Sequence, residues 1–178
     1  MSDQATRLAA LLDRQEILDC LNRYCRALDR HDDELLASVF HADAIDNHGP
    51  WVGGREDFVQ WANHECHEGL RAHMHHLTTH ACELDGDVAH TETYVLFIHR
   101  HGDGTSVTVG GGRYVDRLER RDGEWRIALR RLVMDCRFQA DGASFGDGGG
   151  YPVGSWDRSD VSYERPLELP ESIAGRLA

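Results

Sequence analysis

Between residues 14 and 28 apolar side chains recur at three- and four-residue spacing: Ile17, Leu18, Leu21, Tyr24, Cys25 and Leu28. That spacing gathers them on one face of an α-helix and leaves charged residues on the other. Leu8, Leu11 and Leu12 extend the same helix toward the N-terminus. Asp32 stands where a side chain would cap a short second helix over Asp33–Phe40. After the Gly53-Gly54 break, a third helix is predicted over Arg55–Glu68, with Phe58 and Trp61 facing inward. Beyond it the period falls to two. Segments 72–84 and 87–100 flank Asp85-Gly86-Asp87, a strong hairpin signal. The turn at 101–105 leads into a strand over 106–121, and Asp122-Gly123 closes a further hairpin into Glu124–Phe138. A short strand over 43–48 joins them. Helices followed by a four-strand antiparallel meander define an α+β fold, with three N-terminal helices packed on a curved antiparallel sheet.

The regular pattern stops near Gln139. Residues 1–138 therefore read as one domain and 139–178 as a C-terminal tail. Four glycines between Gly146 and Gly150, then Pro152, Pro166 and Pro170, interrupt regular structure. Yet the tail keeps Phe145, Tyr151, Trp156 and Tyr163. Such a segment either folds back over the body as a lid or packs on a neighbouring subunit.

Composition narrows the function classes. The chain has 178 residues, 31 acidic against 19 basic side chains, and a formal net charge of −12. That balance gives no long-range attraction to nucleic acid or to an anionic membrane. Every basic residue is arginine, which excludes a Schiff-base lysine and a P-loop lysine. The five cysteines, odd in number and without a C-x-x-C pair, fit reduced thiols and predict a cytoplasmic protein. No segment has the apolar length of a membrane span.

All 12 histidines fall between His31 and His101, so the crowding calls for either acid–base or metal chemistry. An acid–base pair is available if the sheet curls around the first helix. Asp29 at the end of that helix and His75 near the start of the first long strand then share a cavity. A buried carboxylate beside a neutral imidazole fixes its tautomer and supports the imidazolium formed on proton transfer. Alternation places His73 and Leu77 on the same side as His75, with His76 and Thr78 opposite. The metal reading uses His73 and His75 with His80, Glu83, His99 and His101, but the glycine and second-histidine spacings of a cupin are not met. His99 and His101 run into a Gly-Asp-Gly turn and read as rim positions. His31, His41, His64, His67 and His90 read as surface residues. Gly110-Gly111-Gly112 lies within a strand pattern, so it allows curvature or close backbone approach and does not form a phosphate loop.

The order of elements, with D-R-H-D-D-E-L-L-A-S-V-F-H-A-D-A from Asp29, M-H-H-L-T-T-H from Met74 and G-G-R-Y-V-D-R-L-E-R-R-D-G-E-W-R-I from Gly111, resembles the SnoaL-like branch of the NTF2-like superfamily. That branch includes scytalone dehydratase, bile-acid dehydratases and hexachlorocyclohexane dehydrochlorinase. The resemblance covers roughly residues 5–138. It implies a cone-shaped α+β barrel with a deep pocket and, in those three members, cofactor-free lyase chemistry by an Asp–His pair that falls on Asp29 and His75. It further implies a site tyrosine at Tyr24 and a pocket arginine at Arg130, while Arg131 faces the other way. Tyr24 also belongs to the apolar stripe, a core position.

Tyr94, Leu96 and Tyr114 fall on positions that resemble pocket-lining sites of the family. Asp46 stands where the dehydrochlorinase has a tryptophan, and His48 and Trp51 follow, so the pocket reads as more polar than one built for a halogenated hydrocarbon. The expected function is a cofactor-independent lyase, a dehydratase or related elimination enzyme, acting on a small hydroxylated ring-containing compound. His75 and Asp29 would be catalytic with Tyr24 and Arg130, and Asp46, His48, Trp51, His73, Tyr94, Leu96 and Tyr114 would bind substrate. No cofactor or metal is expected, and a homo-oligomer, dimer or trimer, is implied. Carbon–carbon cleavage of an aryl-propanediol, isomerisation, a non-catalytic binding module and a His-ligated metal enzyme remain the alternatives. The fold alone does not choose among them.

Overall fold

The computed structural model describes residues 3–142 and 151–170. Helix α1 spans Asp3–Arg30 and buries Ile17, Cys20, Leu21, Tyr24, Cys25, Ala27 and Leu28 along one face, the stripe that the periodicity predicts. Leu8, Leu11 and Leu12 continue the helix but are more than half exposed, because these first turns have little of the sheet beneath them. The helix ends at His31, which adopts a left-handed conformation (φ 49°). His31 N–H donates to Leu28 O and Asp32 N–H to Ala27 O, the paired bonds of a Schellman stop. Asp32 then caps α2 (Asp33–Ser38) by accepting from Leu35 N–H at 3.1 Å.

Helix α3 is shorter than its sequence pattern suggests. It spans Arg55–Gln60 and passes directly into a π-helical turn, Trp61–Glu65. One extra residue per turn rotates everything that follows, and this rotation turns His67 inward. Phe58 and Trp61 face the core as expected, Phe58 fully buried.

Six strands follow or intervene: β1 (Phe40–Asn47), β2 (Val52–Gly54), β3 (Leu70–Asp85), β4 (Val88–His101), β5 (Ser106–Arg121) and β6 (Glu124–Asp141). They form one curved, unclosed sheet in the order β2-β1-β6-β5-β4-β3. The meander β3–β6 is antiparallel, but β1 lies parallel to β6. The sheet is therefore mixed, which corrects the all-antiparallel expectation; β2 was not predicted, and β6 runs past residue 138. The three helices cover the concave face, giving the α+β cone that the order of elements implies. Among the described residues no helix is long and apolar enough to cross a membrane, and all five cysteines are free.

Two local irregularities in the sheet set the shape of its inner face. In β3 the pairing shifts between Leu77↔Val95 and His80↔Thr93, so one extra residue is inserted at Thr78-Thr79. Side chains on β3 point inward at His73, His75 and Leu77 before this bulge and at His80, Cys82 and Leu84 after it. On β5 a Cβ added to Gly110 would sit 2.1 Å from the Phe97 ring, and one added to Gly112 would sit 2.2 Å from Val133 O. The glycine run thus leaves room for Phe97 and permits close approach to β6, as its place within a strand predicts.

Beneath the inner face lies a buried ion pair. Arg130 and Asp116, in register on β6 and β5, are both fully buried. Arg130 Nε and Nη2 donate to the two Asp116 oxygens at 2.7 Å each. The guanidinium is also sandwiched between the rings of Tyr24 and Tyr114, 4.0 Å from each centroid. Breaking such a pair leaves an uncompensated buried charge. Asp116→Asn is expected to lower unfolding free energy by about 3–5 kcal/mol, measured by urea denaturation. The double change Asp116→Leu with Arg130→Met should cost less than the single one; a double variant that is worse than the single would contradict this account of the pair.

Candidate active site

The end of α1 and the start of β3 meet at Asp29. Its carboxylate accepts from His75 Nδ1–H at 2.8 Å through Oδ1 and from the His75 backbone N–H at 3.1 Å through Oδ2. His73 Nδ1 lies 3.5 Å from the same Oδ1, an electrostatic contact longer than a hydrogen bond. A carboxylate in the last turn of a helix faces the negative end of the macrodipole, which is unfavourable, so Asp29 depends on these partners. Burial alone would raise its pKa, but the imidazoles of His73 and His75 outweigh burial and hold it well below the usual carboxylate range. Asp29 is therefore ionised at neutral pH. Its bond to Nδ1–H fixes the His75 tautomer and leaves Nε2 with a lone pair.

His75 lines a cavity of about 250 Å³ between α1, the π-helical turn and the sheet. The walls are mostly aromatic, with Tyr24, Phe58, Trp61, Phe97 and Tyr114 around the ring nitrogens of His48, His67, His75 and His99. Tyr24 packs against Phe40, Phe58 and Tyr114, so it is both a core residue and a cavity residue. Its buried hydroxyl has no hydrogen-bond partner among the described residues. Burial raises its pKa far above the ordinary tyrosine value, against a smaller opposing effect of Arg130, so the hydroxyl stays protonated. A second acid–imidazole pair faces the same space, with His48 Nδ1 2.6 Å from Asp46 Oδ1 and Asp46 itself buried.

The remaining sequence candidates divide. Tyr114 lines the cavity, whereas Arg130 stands behind Tyr24 and Tyr114 with Nη1 unpartnered among the described residues. Trp51 stacks on Trp61 (5.0 Å, 15°) and supports the wall without lining it. His73 is buried behind His75 and joins His31 through their Nε2 atoms at 2.8 Å. Tyr94 and Leu96 do not reach the cavity: they are 44% and 48% exposed on the opposite face of β4. Had the His80↔Thr93 register continued without a shift, His75 would face Ile98, and Tyr94 and Leu96 would share its side. The inward phase of β4 is the same throughout, with Ala89, Thr91, Thr93 and Val95 all buried; the Thr78-Thr79 bulge in β3 puts His75 on that side, with Val95 and Phe97. Arg131, His76 and Thr78 are exposed on the outer side, as alternation predicts.

Three histidines assigned to the surface are in fact inside. His67 and His41 are buried and His31 is half-buried, while His64 and His90 are exposed. His99, read as a rim residue, lines the cavity. His67 stacks flat on His73 at 3.9 Å. Sequence contains one usable signal for His99, since it lies on the same alternation phase as Val95. None was available for His67, whose direction follows from the π-helical turn. Among the described residues, possible ligand atoms converge closely enough to hold an ion in three overlapping groups: ring nitrogens of His67, His75 and His99; ring nitrogens of His31, His67 and His73; and a carboxylate oxygen of Asp29 with ring nitrogens of His73 and His75.

In the tail, Trp156 stacks on His31 (4.2 Å, 10°) beside His73. Tyr163 Oη donates to Asp32 at 2.8 Å, and Arg30 pairs with Asp160 at 3.3 Å. The middle of this segment, from Trp156 to Tyr163, thus lies against the end of α1 next to the imidazoles, whereas Tyr151, Val153, Leu167 and Leu169 are largely exposed. Phe145 lies outside the described residues.

This fold and site define a class. A SnoaL-like domain model matches residues 9–131, and the chain belongs to that family. Among solved structures, a point variant of Rv3472 from Mycobacterium tuberculosis, described as a function-unknown protein, is 31% identical with a TM-score of 0.63, over 71% of this chain and 74% of that one. A type 2 hexachlorocyclohexane dehydrochlorinase (LinA) shares the fold at TM-score 0.73 and 23% identity, covering 80% of this chain and 99% of its own. A putative scytalone dehydratase from Novosphingobium aromaticivorans does so at TM-score 0.66 and 21% identity, covering 83% and 93%. Among curated protein sequences none matches significantly.

The buried imidazoles make stability depend on pH. Burial, with smaller contributions from neighbouring histidines, pushes His31 down to about 4, His99 to about 3 and His67 to about 2, from an ordinary 6.5. The unfolded chain then binds protons that the folded chain refuses as pH falls below 6.5, so stability is full above that value and drains away below it. In chelator-treated protein the melting temperature should be flat above neutral pH and fall steadily from pH 6.5 toward pH 4, with a shallower fall in His67→Phe. A melting temperature constant across that window would contradict the burial of these rings in neutral form.

Proposed function

We propose that this protein is a cofactor-independent lyase that eliminates water, or a comparable leaving group, from a small hydroxylated, ring-containing molecule. One observation carries the reading: an ionised Asp29 holds His75 with Nε2 free on a cavity also lined by Tyr24, whose buried hydroxyl has no hydrogen-bond partner among the described residues. The aromatic walls suit a ring. A volume of about 250 Å³ is below the roughly 300–1,000 Å³ of drug-sized pockets and suits one ring with a short side chain.

In this mechanism His75 Nε2 removes a proton from substrate carbon, and the C–H electron pair becomes the new double bond. Asp29 stabilises the imidazolium electrostatically and remains ionised. As the C–O bond breaks, Tyr24 donates its proton to the departing oxygen, and the hydroxyl leaves as water. Arg130, stacked on the Tyr24 ring, favours the negative charge that develops there. His48, held by Asp46, orients a substrate hydroxyl. Release of the proton from His75 and reprotonation of Tyr24 restore the site. The small-molecule substrate and the reduced cysteines are in keeping with a cytoplasmic enzyme.

The test is turnover on a panel of β-hydroxy carbonyl compounds and aryl-propanediols, with deuterium uptake from D₂O followed by NMR to detect proton abstraction. His75→Ala should lose at least about 10²-fold in kcat/KM and in exchange while keeping the wild-type melting curve. Asp29→Asn should lower kcat more than it changes KM. Full turnover in His75→Ala would end the proposal.

A further inference from the structure

We propose that the cavity imidazoles His67, His75 and His99 form a binding site for one divalent transition-metal ion of the zinc class. These residues come from the turn after the π-helical segment, from β3 and from β4, so no local sequence spacing links them. One ring nitrogen from each lies within 4.8 Å of the others. Their planes are mutually steep: 70° between His67 and His75, 90° between His67 and His99, and 68° between His75 and His99, with centroids 5.4–6.1 Å apart. Rings that share an ion need in-plane lone pairs converging from different directions, and steep planes supply that. Edge-to-face contact is also an ordinary packing mode for aromatic rings, whereas the flat stack of His67 on His73 at 9° gives no such convergence.

Two further observations point to a ligand. His67 Nδ1 and His99 Nε2 are buried without a hydrogen-bond partner among the described residues, and a buried nitrogen left so is costly. Asp29 also holds His75 Nδ1–H, the outer carboxylate contact that metal-bound histidines regularly have. Three imidazole nitrogens on one cavity match the three-histidine zinc sites that keep a fourth place for water. Neither His31 nor His73 is a better ligand, since their Nε2 atoms are already paired with each other. An ion at this place takes the His75 lone pair, so metal loading and the proposed base catalysis exclude one another. The site is independent of that reading: a chain that binds no zinc still has its Asp–His pair, and a chain without lyase activity still has its three nitrogens.

The experiment is calorimetric titration of untagged, chelator-treated full-length protein with zinc chloride at neutral pH. Expected is one tight ion per chain, a weakening of about 10–100-fold in Asp29→Asn, and a larger loss in His67→Gln and His99→Gln. His76→Gln, on the outer face of β3, should bind as the wild type does. Should the ligand variants unfold, zinc X-ray absorption on the wild type decides: three imidazole nitrogens and one oxygen at about 2.0–2.1 Å are expected. No stoichiometric binding, undiminished binding in folded His67→Gln and His99→Gln, or sulfur in the zinc shell, which would place the ion on Cys66, would each overturn the proposal.

Discussion

The site depends on one carboxylate placed where a helix disfavours it. Asp29 sits in the last turn of α1, against the negative end of the helix, and is held by the side chain and backbone of His75. The same bonds tie the first long strand to the helix and fix which nitrogen of His75 faces the cavity. The Schellman stop at His31 and the cap at Asp32 follow within three residues. Helix termination, strand docking and the imidazole tautomer are thus one local structure. A change there alters the sheet edge and the chemistry together.

A second layer carries the floor of the cavity. Arg130 is buried at a position where charge is costly, yet Asp116 and two tyrosine rings surround it. The arrangement is rigid because each member constrains another. Asp116 fixes the guanidinium, the guanidinium fixes the ring faces, and the rings form the wall. Arg130 consequently meets the cavity through the rings of Tyr24 and Tyr114 and not directly.

Most elements were legible in the sequence because they rest on local physics. The apolar stripe from Ile17 to Leu28, the Asp32 cap and the Asp-Gly turns of the meander each state their structure within a few residues. Asp29 and His75 were legible through the family resemblance, and their pairing through the curl of the sheet. What was not legible depends on a single inserted residue. The bulge at Thr78-Thr79 turns His73 and His75 to the side of Val95, Phe97 and His99 and away from that of Tyr94 and Leu96, and the π-helical turn points His67 into the cavity. Neither leaves a periodic signal, because each is a one-residue departure whose benefit lies in tertiary packing. The parallel pairing of β1 with β6 is hidden for a similar reason, being a contact between segments about 85 residues apart. The crowding of histidines is partly explained by those irregularities, since two small phase changes gather rings that the sequence scatters over four elements.

The most direct test of the central claim is the tautomer of His75 in chelator-treated protein, read from ¹⁵N NMR with the signal assigned by its loss in His75→Gln. At neutral pH, Nδ1 should carry the proton, shifted downfield by its bond to Asp29, and Nε2 should be bare; Asp29→Ala should abolish that shift. A His75 protonated on Nε2, or one indifferent to Asp29, would contradict the account.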